Sequence, residues 1–155
     1  MPTTNNLYWT TDNEVFLSLP GGEALAEWFG FIPSFHDATL ERLKLGEGSA
    51  SLTLKAFRMT REVNSEGFFV TDKHVLVHIH LSGVTGVKLN GNSSSSIAGL
   101  GVRRISSGLP GWDTCDGPEK GDFEVSWDTN WGLEGALYAR DVSFEYEPIG
   151  QMDIC

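Results

Sequence analysis

The sequence predicts a mainly β fold of the α+β type: an antiparallel sheet, forming a sandwich or a partly open barrel, with one short N-terminal helix. Hydrophobic and polar residues alternate with a period of two in most segments after Ala38, as in half-buried strands. Only one short segment has helical spacing, and no strand–helix–strand alternation indicates a parallel sheet. The 155 residues have the size of one domain, which we expect to span residues 1–155.

The only substantial helix is predicted near residues 22–29. Leu25, Trp28 and Phe29 have the i, i+3, i+4 spacing of one helical face, and a glycine follows them. The preceding residues 7–19 mix aromatic with polar side chains and end at a Pro-Gly-Gly turn signal.

The strands follow the helix. Ala38–Leu45 and Ala50–Phe57 flank a Gly-Glu-Gly-Ser loop, which is typical of a hairpin. We predict a loop over residues 61–72. The remaining strands before residue 106 are predicted over His74–Leu81, Val84–Leu89 and Leu100–Ile105. Two strands close the chain, Phe123–Asp128 and Tyr138–Glu147, and we expect them to pair as a hairpin around Asn130-Trp131-Gly132.

The closing hairpin gives the best physical indication of function. Its apolar residues alternate with acidic ones, so the face opposite the core would carry Asp122, Glu124, Asp128, Asp141, Glu145 and Glu147. Like charges on paired strands destabilise the pair by up to about 1 kcal/mol each. We infer that a partner supplies positive charge. The alternative is a solvated face whose repulsion is screened by salt within roughly 8–10 Å.

Net charge supports the same interpretation. The chain carries −10, and residues 111–155 alone hold eleven Asp or Glu against two Lys or Arg. This concentration disfavours nucleic acid as a partner, because phosphate contacts need clustered Lys and Arg, and it favours a basic protein. No run approaches the ~18 apolar residues of a membrane span. Without a signal peptide, we expect a cytoplasmic protein with Cys115 and Cys155 as free thiols.

Three histidines suggest a metal site as an alternative. His74, His78 and His80 project to one face of their predicted strand. Zinc would need a further ligand, which only folding could bring from His36 or Asp37. No H-E-x-x-H or C-x-x-C motif accompanies them, and no phosphate-binding glycine motif occurs. We therefore expect neither metal nor cofactor.

The segment Ser34-Phe35-His36-Asp37 contains the residue types of a nucleophile, a base and an orienting acid. On an extended segment His36 and Asp37 would point to opposite sides, and no G-x-S-x-G motif surrounds the serine. We expect no catalytic residue here. Instead, Ser34 or Asp37 should accept backbone N–H bonds in the turn after Pro33.

Residues 28–38 read W-F-G-F-I-P-S-F-H-D-A. This segment resembles the W-x-G-x-x-P-S-F-H-D-A signature of the immunity protein 50 family, small bacterial proteins encoded beside polymorphic toxins. A looser similarity extends to W-G-L-E-G at 131–135. The resemblance implies a protein that binds and silences a toxin, and not an enzyme. It implies no defined toxin-contact residues.

The expected function is therefore neutralisation of a cognate, basic bacterial toxin by direct protein–protein contact. The candidate toxin-binding residues are Asp122, Glu124, Asp128, Trp131, Asp141, Glu145 and Glu147, with Trp131 as an aromatic anchor. The alternatives are a small metal-dependent enzyme and a structural or small-ligand-binding β-domain.

Overall fold

The computed structural model describes residues 10–106 and 117–149. The elements are α1 (Asn13–Ser18), α2 (Gly22–Phe29), β1 (Thr39–Gly46), β2 (Ser49–Val63), β3 (Phe69–Arg104) and β4 (Phe123–Pro148). All strand pairs are antiparallel, in the order β1-β2-β3-β4. The mainly β fold, the first hairpin and the helix over residues 22–29 are thus confirmed. No helix in these two ranges is long and apolar enough to cross a bilayer.

Helix α1 is an addition that the sequence pattern did not indicate. Its N-cap is Asp12, whose carboxylate accepts the backbone N–H groups of Glu14 and Val15. The helix has six residues and buries only Phe16, so it is too short to show a helical period. The turn after it covers the edge of β4, because the Phe144 N–H donates to the carbonyl of Pro20.

The sheet closes on itself through the residues just before β1. The Ile97 N–H donates to the Ala38 carbonyl at 2.8 Å, and the Leu100 N–H donates to the Ser34 carbonyl at 2.9 Å. Thr39 then pairs with Ser96. Since β1 also pairs with β2, and β2 with β3, the backbone hydrogen bonds form a ring through these three strands. The signature at residues 28–38 supplies the closing segment.

The predicted closing hairpin is wrong. β4 runs without interruption through residues 130–132, and both of its halves pair with β3, from Val75 opposite Pro148 to Arg104 opposite Phe123. The turn signal there marks a bend instead, with a register shift and Gly132 at φ 121°. For the same reason the three strands predicted between residues 74 and 105 are one bent strand.

The core lies between the inner face of the sheet and the two helices. It contains buried apolar side chains from every strand except β1, whose inner residues are only partly buried, while Ala136 and Tyr138 of β4 form a separate small cluster with Ile105. The largest fully buried members are Trp127, Phe16, Phe29, Leu25, Leu52, Leu54 and Ile79. Phe35 and Ala38 of the closing segment are also buried, which gives that segment a packing role beside its hydrogen bonds.

Candidate functional site

The acidic residues predicted to share one surface lie in two different environments. Asp122 and Glu124 are buried, whereas Asp141, Glu145 and Glu147 are exposed. The expectation of a common outer face is therefore wrong, because the two halves of β4 pair with β3 and not with each other. Asp128 is half-buried, and its carboxylate accepts the backbone N–H of Thr129. The side chain of Trp131 lies outside the described residues.

The inner carboxylates accept hydrogen bonds from side chains and backbone of the protein itself. Glu124, only 3% exposed, accepts a hydrogen bond from Arg103 Nε at 2.6 Å and one from the Tyr138 hydroxyl at 2.8 Å. Burial, and then the bond to this carboxylate, raises the pKa of the Tyr138 phenol. Asp122 accepts from the Thr85 hydroxyl at 2.9 Å and from a backbone N–H. These bonds connect neighbouring segments of the protein, and both side chains are buried.

The three outer carboxylates and two histidines of β3 lie on one side of the sheet, which we call the outward face. Its residues are His78, His80, Asp141, Glu145 and Glu147. His80 Nε2 lies 3.0 Å from Glu145 Oε1, and His78 Nε2 lies 3.3 Å from Glu147 Oε2. The Glu145 side chain is 71% exposed. The two imidazole rings stack with their centroids 6.3 Å apart. Both histidine–glutamate pairs are thus open to solvent on the sheet.

On the same side of the sheet, basic side chains lie on the neighbouring strands β1 and β2. The register places Lys55 of β2 beside Leu76, which is opposite Glu147, and places Arg42 of β1 beside Thr53. Charge therefore changes from basic on the first two strands, through the histidines of β3, to acidic on β4. On this face, the negative charge that would attract a basic partner is therefore on β4.

The three histidines predicted as an alternative metal site have different side-chain partners. His74 Nε2 is bonded to the Thr71 hydroxyl at 3.1 Å, while His78 and His80 each face one glutamate. Over residues 10–106 and 117–149, no group of three or more His, Cys, Asp or Glu side chains is placed to hold a metal ion. The alternative of a metal-dependent enzyme thus has no ligand set in this part of the chain.

The segment around Ser34 differs from its predicted geometry. Phe35 and Asp37 have left-handed backbones, with φ of 59° and 66°, and the turn brings His36 Nε2 within 3.5 Å of Asp37 Oδ2. The expectation that these two side chains point apart is wrong. His36 Nδ1 donates to the Ala98 carbonyl at 2.9 Å. The Ser34 side chain joins neither contact, so within the described ranges His36 is not paired with this hydroxyl.

The expected side-chain turn bonds are also replaced. Among the described residues, neither the Ser34 hydroxyl nor the Asp37 carboxylate accepts a backbone N–H. The backbone groups make the contacts instead: the Asp37 N–H donates to the Ile97 carbonyl at 2.8 Å, and the Ser34 carbonyl accepts from Leu100. The role of the segment is structural, through its main chain.

A hairpin that the sequence did not indicate extends beyond the sheet. β4 ends opposite Val75, so within residues 57–74, which we call the projecting hairpin, the strand pairing is between its own two arms. At its base the Ile149 N–H also donates to the His74 carbonyl at 2.8 Å. The residues predicted as a loop over 61–72 are mostly strand. At the base, Arg58 binds both carboxylate oxygens of Asp72, at 2.8 and 2.7 Å, and this bond holds the pKa of Asp72 below its ordinary value. The hairpin exposes half or more of Met59, Val63, Phe68 and Phe69.

A pocket of about 720 Å³ lies where the paired strands β3 and β4 bend. The bend brings Tyr138 to Glu124, two residues of the same strand, and Arg103 joins them from β3. Apolar lining comes from Val87, Leu89 and Ala136. Alternation alone could not indicate this pocket, because its walls come from residues far apart along both strands.

Comparisons with protein-family models, with curated proteins and with solved structures give no match to this chain. The resemblance of residues 28–38 to the immunity protein 50 family therefore stays a prediction.

Proposed function

We propose that this protein binds a basic protein toxin and neutralises it by direct contact through the projecting hairpin and the outward face. The observation that carries the proposal is the exposure of four large apolar side chains on the hairpin, with Phe68 66% exposed. The register places two of them, Val63 and Phe69, directly opposite each other. Exposed apolar side chains that lie together mark protein-interaction sites in soluble proteins. Aromatic side chains at the centre of an interface carry most of the binding energy.

The charge of the outward face supports a basic partner. Glu147 lies opposite Leu76 of β3, and the same strand continues to Phe69 at the hairpin tip. At roughly 3.3 Å per residue the two positions are about 23 Å apart along the strand, close enough for one interface of standard size. Carboxylates beside an apolar anchor speed association with a basic protein and select it over acidic ones.

Three further statements belong to the same proposal. The protein acts in the cytoplasm of a bacterium, its partner is a protein and not a nucleic acid, and it catalyses no reaction. Supporting them are the acidic balance of residues 111–155 and the resemblance of residues 28–38 to a family of immunity proteins.

The test uses the toxin domain encoded beside this chain's gene, with two double variants. Phe68→Ser with Phe69→Ser removes the proposed anchor, and we expect it to weaken binding about 100-fold, chiefly by faster dissociation. Glu145→Lys with Glu147→Lys reverses charge, and we expect it to slow association about tenfold at low salt and little at high salt. Association and dissociation rates are measured for each protein, together with growth of cells expressing the toxin.

Matched controls lie on the helices. Leu17→Ser removes an exposed apolar side chain from α1, and Glu23→Lys with Glu27→Lys makes the same charge change on exposed positions of α2. Both should bind and protect like the parent. The proposal fails if the parent neither binds nor neutralises the neighbouring toxin domain, or if both test variants retain the parent's rates.

A further inference from the structure

We propose that the pocket at the bend of β3 and β4 is a binding site for a small organic anion with an apolar body, whose acidic group is held by Arg103. This site is separate from the projecting hairpin and the outward face, so it does not depend on the toxin proposal. Its volume, about 720 Å³, lies within the range of roughly 300–1,000 Å³ of small-molecule sites.

The walls of the pocket suit an apolar body. Val87 and Leu89 are among the large apolar side chains that β3 leaves exposed, and both line the pocket. Ala136 and the ring of Tyr138 line it from β4. A ligand in contact with these groups would remove apolar surface from water that the protein alone leaves exposed, which is favourable in proportion to the area covered.

The polar end of the site is Arg103. Its Nε donates to the buried Glu124, whose other oxygen is held by the Tyr138 hydroxyl, so the guanidinium is fixed from behind. The Arg103 side chain is still 43% exposed, and its Nε is the only atom that makes a hydrogen bond within the described chain. The remaining donors form a planar fork that matches a carboxylate or sulfonate.

The arrangement is a costly way to stabilise a fold. The buried Glu124 carboxylate loses its hydration, and well-packed apolar residues often serve stability as well or better. Its distinct property is that a satisfied buried carboxylate fixes the orientation of the arginine before any ligand arrives. A cationic ligand is less well provided for, since both Glu124 oxygens are occupied and Glu134 accepts a hydrogen bond from Asn90 at 3.4 Å.

The test compares two fluorescent probes with the same aromatic body. One is the anion 8-anilinonaphthalene-1-sulfonate, and the other is neutral N-phenyl-1-naphthylamine. We expect saturable binding of one anionic probe per chain, with weaker binding of the neutral probe. Titrations are repeated on Phe68→Ser with Phe69→Ser, because the projecting hairpin also exposes apolar surface. Saturable binding that is lost in this background would contradict the proposal.

The decisive variant is Arg103→Gln with Glu124→Gln, which leaves net charge unchanged and removes both charges of the ion pair. Loss of a charge-assisted hydrogen bond should lower affinity for the anionic probe about tenfold and leave the neutral probe unaffected. The matched control, Arg61→Gln with Glu62→Gln, makes the same change on the projecting hairpin and should bind like the parent. Circular dichroism and a melting curve verify folding.

If the double variant does not fold, Arg103→Lys provides the second measurement. It keeps the charge beside Glu124 but removes the planar fork. We expect the affinity for the anionic probe to fall several-fold and the affinity for the neutral probe to stay unchanged. Three results would overturn the proposal: no saturable binding by the folded parent, equal affinity for both probes, or undiminished affinity for the anion in a folded Arg103 variant.

Discussion

The two halves of β4 show how one sequence pattern leads to opposite structural outcomes. Acidic residues alternate with apolar ones around Phe123–Trp127 and again around Val142–Tyr146. In the first half the polar positions are buried as well, and Glu124 is bonded on both oxygens. In the second half they face solvent, where Glu145 contacts His80 and Glu147 contacts His78. Alternation assigns residues to faces, whereas the neighbouring segments decide which face meets water.

The difference arises from the bend. Where β3 and β4 curve, the polar side of the first half meets Tyr138 of the same strand, with Arg103 beside it on β3. The polar side of the second half lies on an open stretch of sheet. The same carboxylate therefore stabilises the fold in one place and is available to a partner in the other.

The largest expected effect comes from making one substitution in both halves. Glu124→Lys places an ammonium group beside Arg103 in a site that is 3% exposed, so we expect a loss of about 4 kcal/mol or more in the free energy of unfolding. Glu145→Lys, at a solvated position, should change it by less than about 0.5 kcal/mol. Chemical denaturation of the two variants measures this. Similar losses at both sites would contradict the contrast between the halves.

An intermediate effect is expected at high pH. The pKa of Tyr138 is raised in the folded protein, first by burial and then by its bond to Glu124. Above pH of about 10 the unfolded chain releases this proton while the folded protein retains it, so the free energy of unfolding falls by up to about 1.4 kcal/mol per pH unit. This stabilisation is fully present below pH of about 10.

The measurement is the pH dependence of unfolding for the parent and Tyr138→Phe between pH 8 and roughly 11.5. The variant should lose less stability above pH 10 than the parent does. Tyr146→Phe, in the outer half, is the matched control for removal of a phenol. Parallel curves for the parent and Tyr138→Phe would show that the inner phenol titrates like a solvated one.

The smallest effect concerns the outward face. A double-mutant cycle of His80→Gln and Glu145→Gln at pH 5.5 should give a coupling below about 0.5 kcal/mol that disappears in molar salt, since both side chains are largely solvated. The corresponding cycle with Arg103→Gln and Glu124→Gln should give a several-fold larger coupling that survives salt. Equal couplings at the two sites would remove the distinction.

Local features of the fold could be predicted from the sequence. The β1–β2 hairpin and the helix over residues 22–29 depend on alternation, helical spacing and glycine, which act over a few residues. The partner of β4 could not be predicted this way, because a turn signal at residues 130–132 and a bend with a register shift use the same residue types.

The candidate sites divide in the same way. The exposed carboxylates at 141, 145 and 147 follow from alternation, and their exposure was expected. The contact between His36 and Asp37 does not follow from the sequence, because Phe35 and Asp37 adopt left-handed backbones that non-glycine residues rarely take. The pocket and the projecting hairpin depend on where β4 bends and where it ends. Neither position can be predicted from a local sequence pattern.

The closure of the strand ring by residues 34–38 also bears on how the chain folds. Its hydrogen bonds join residues far apart in sequence, as between His36 and Ala98, which are 62 positions apart. Such contacts form only after a long loop has lost much of its conformational freedom, so they contribute late. We therefore expect folding on the millisecond-to-second scale of β-rich domains, with the N-terminal helices docking only once the distant strand β3 is in place.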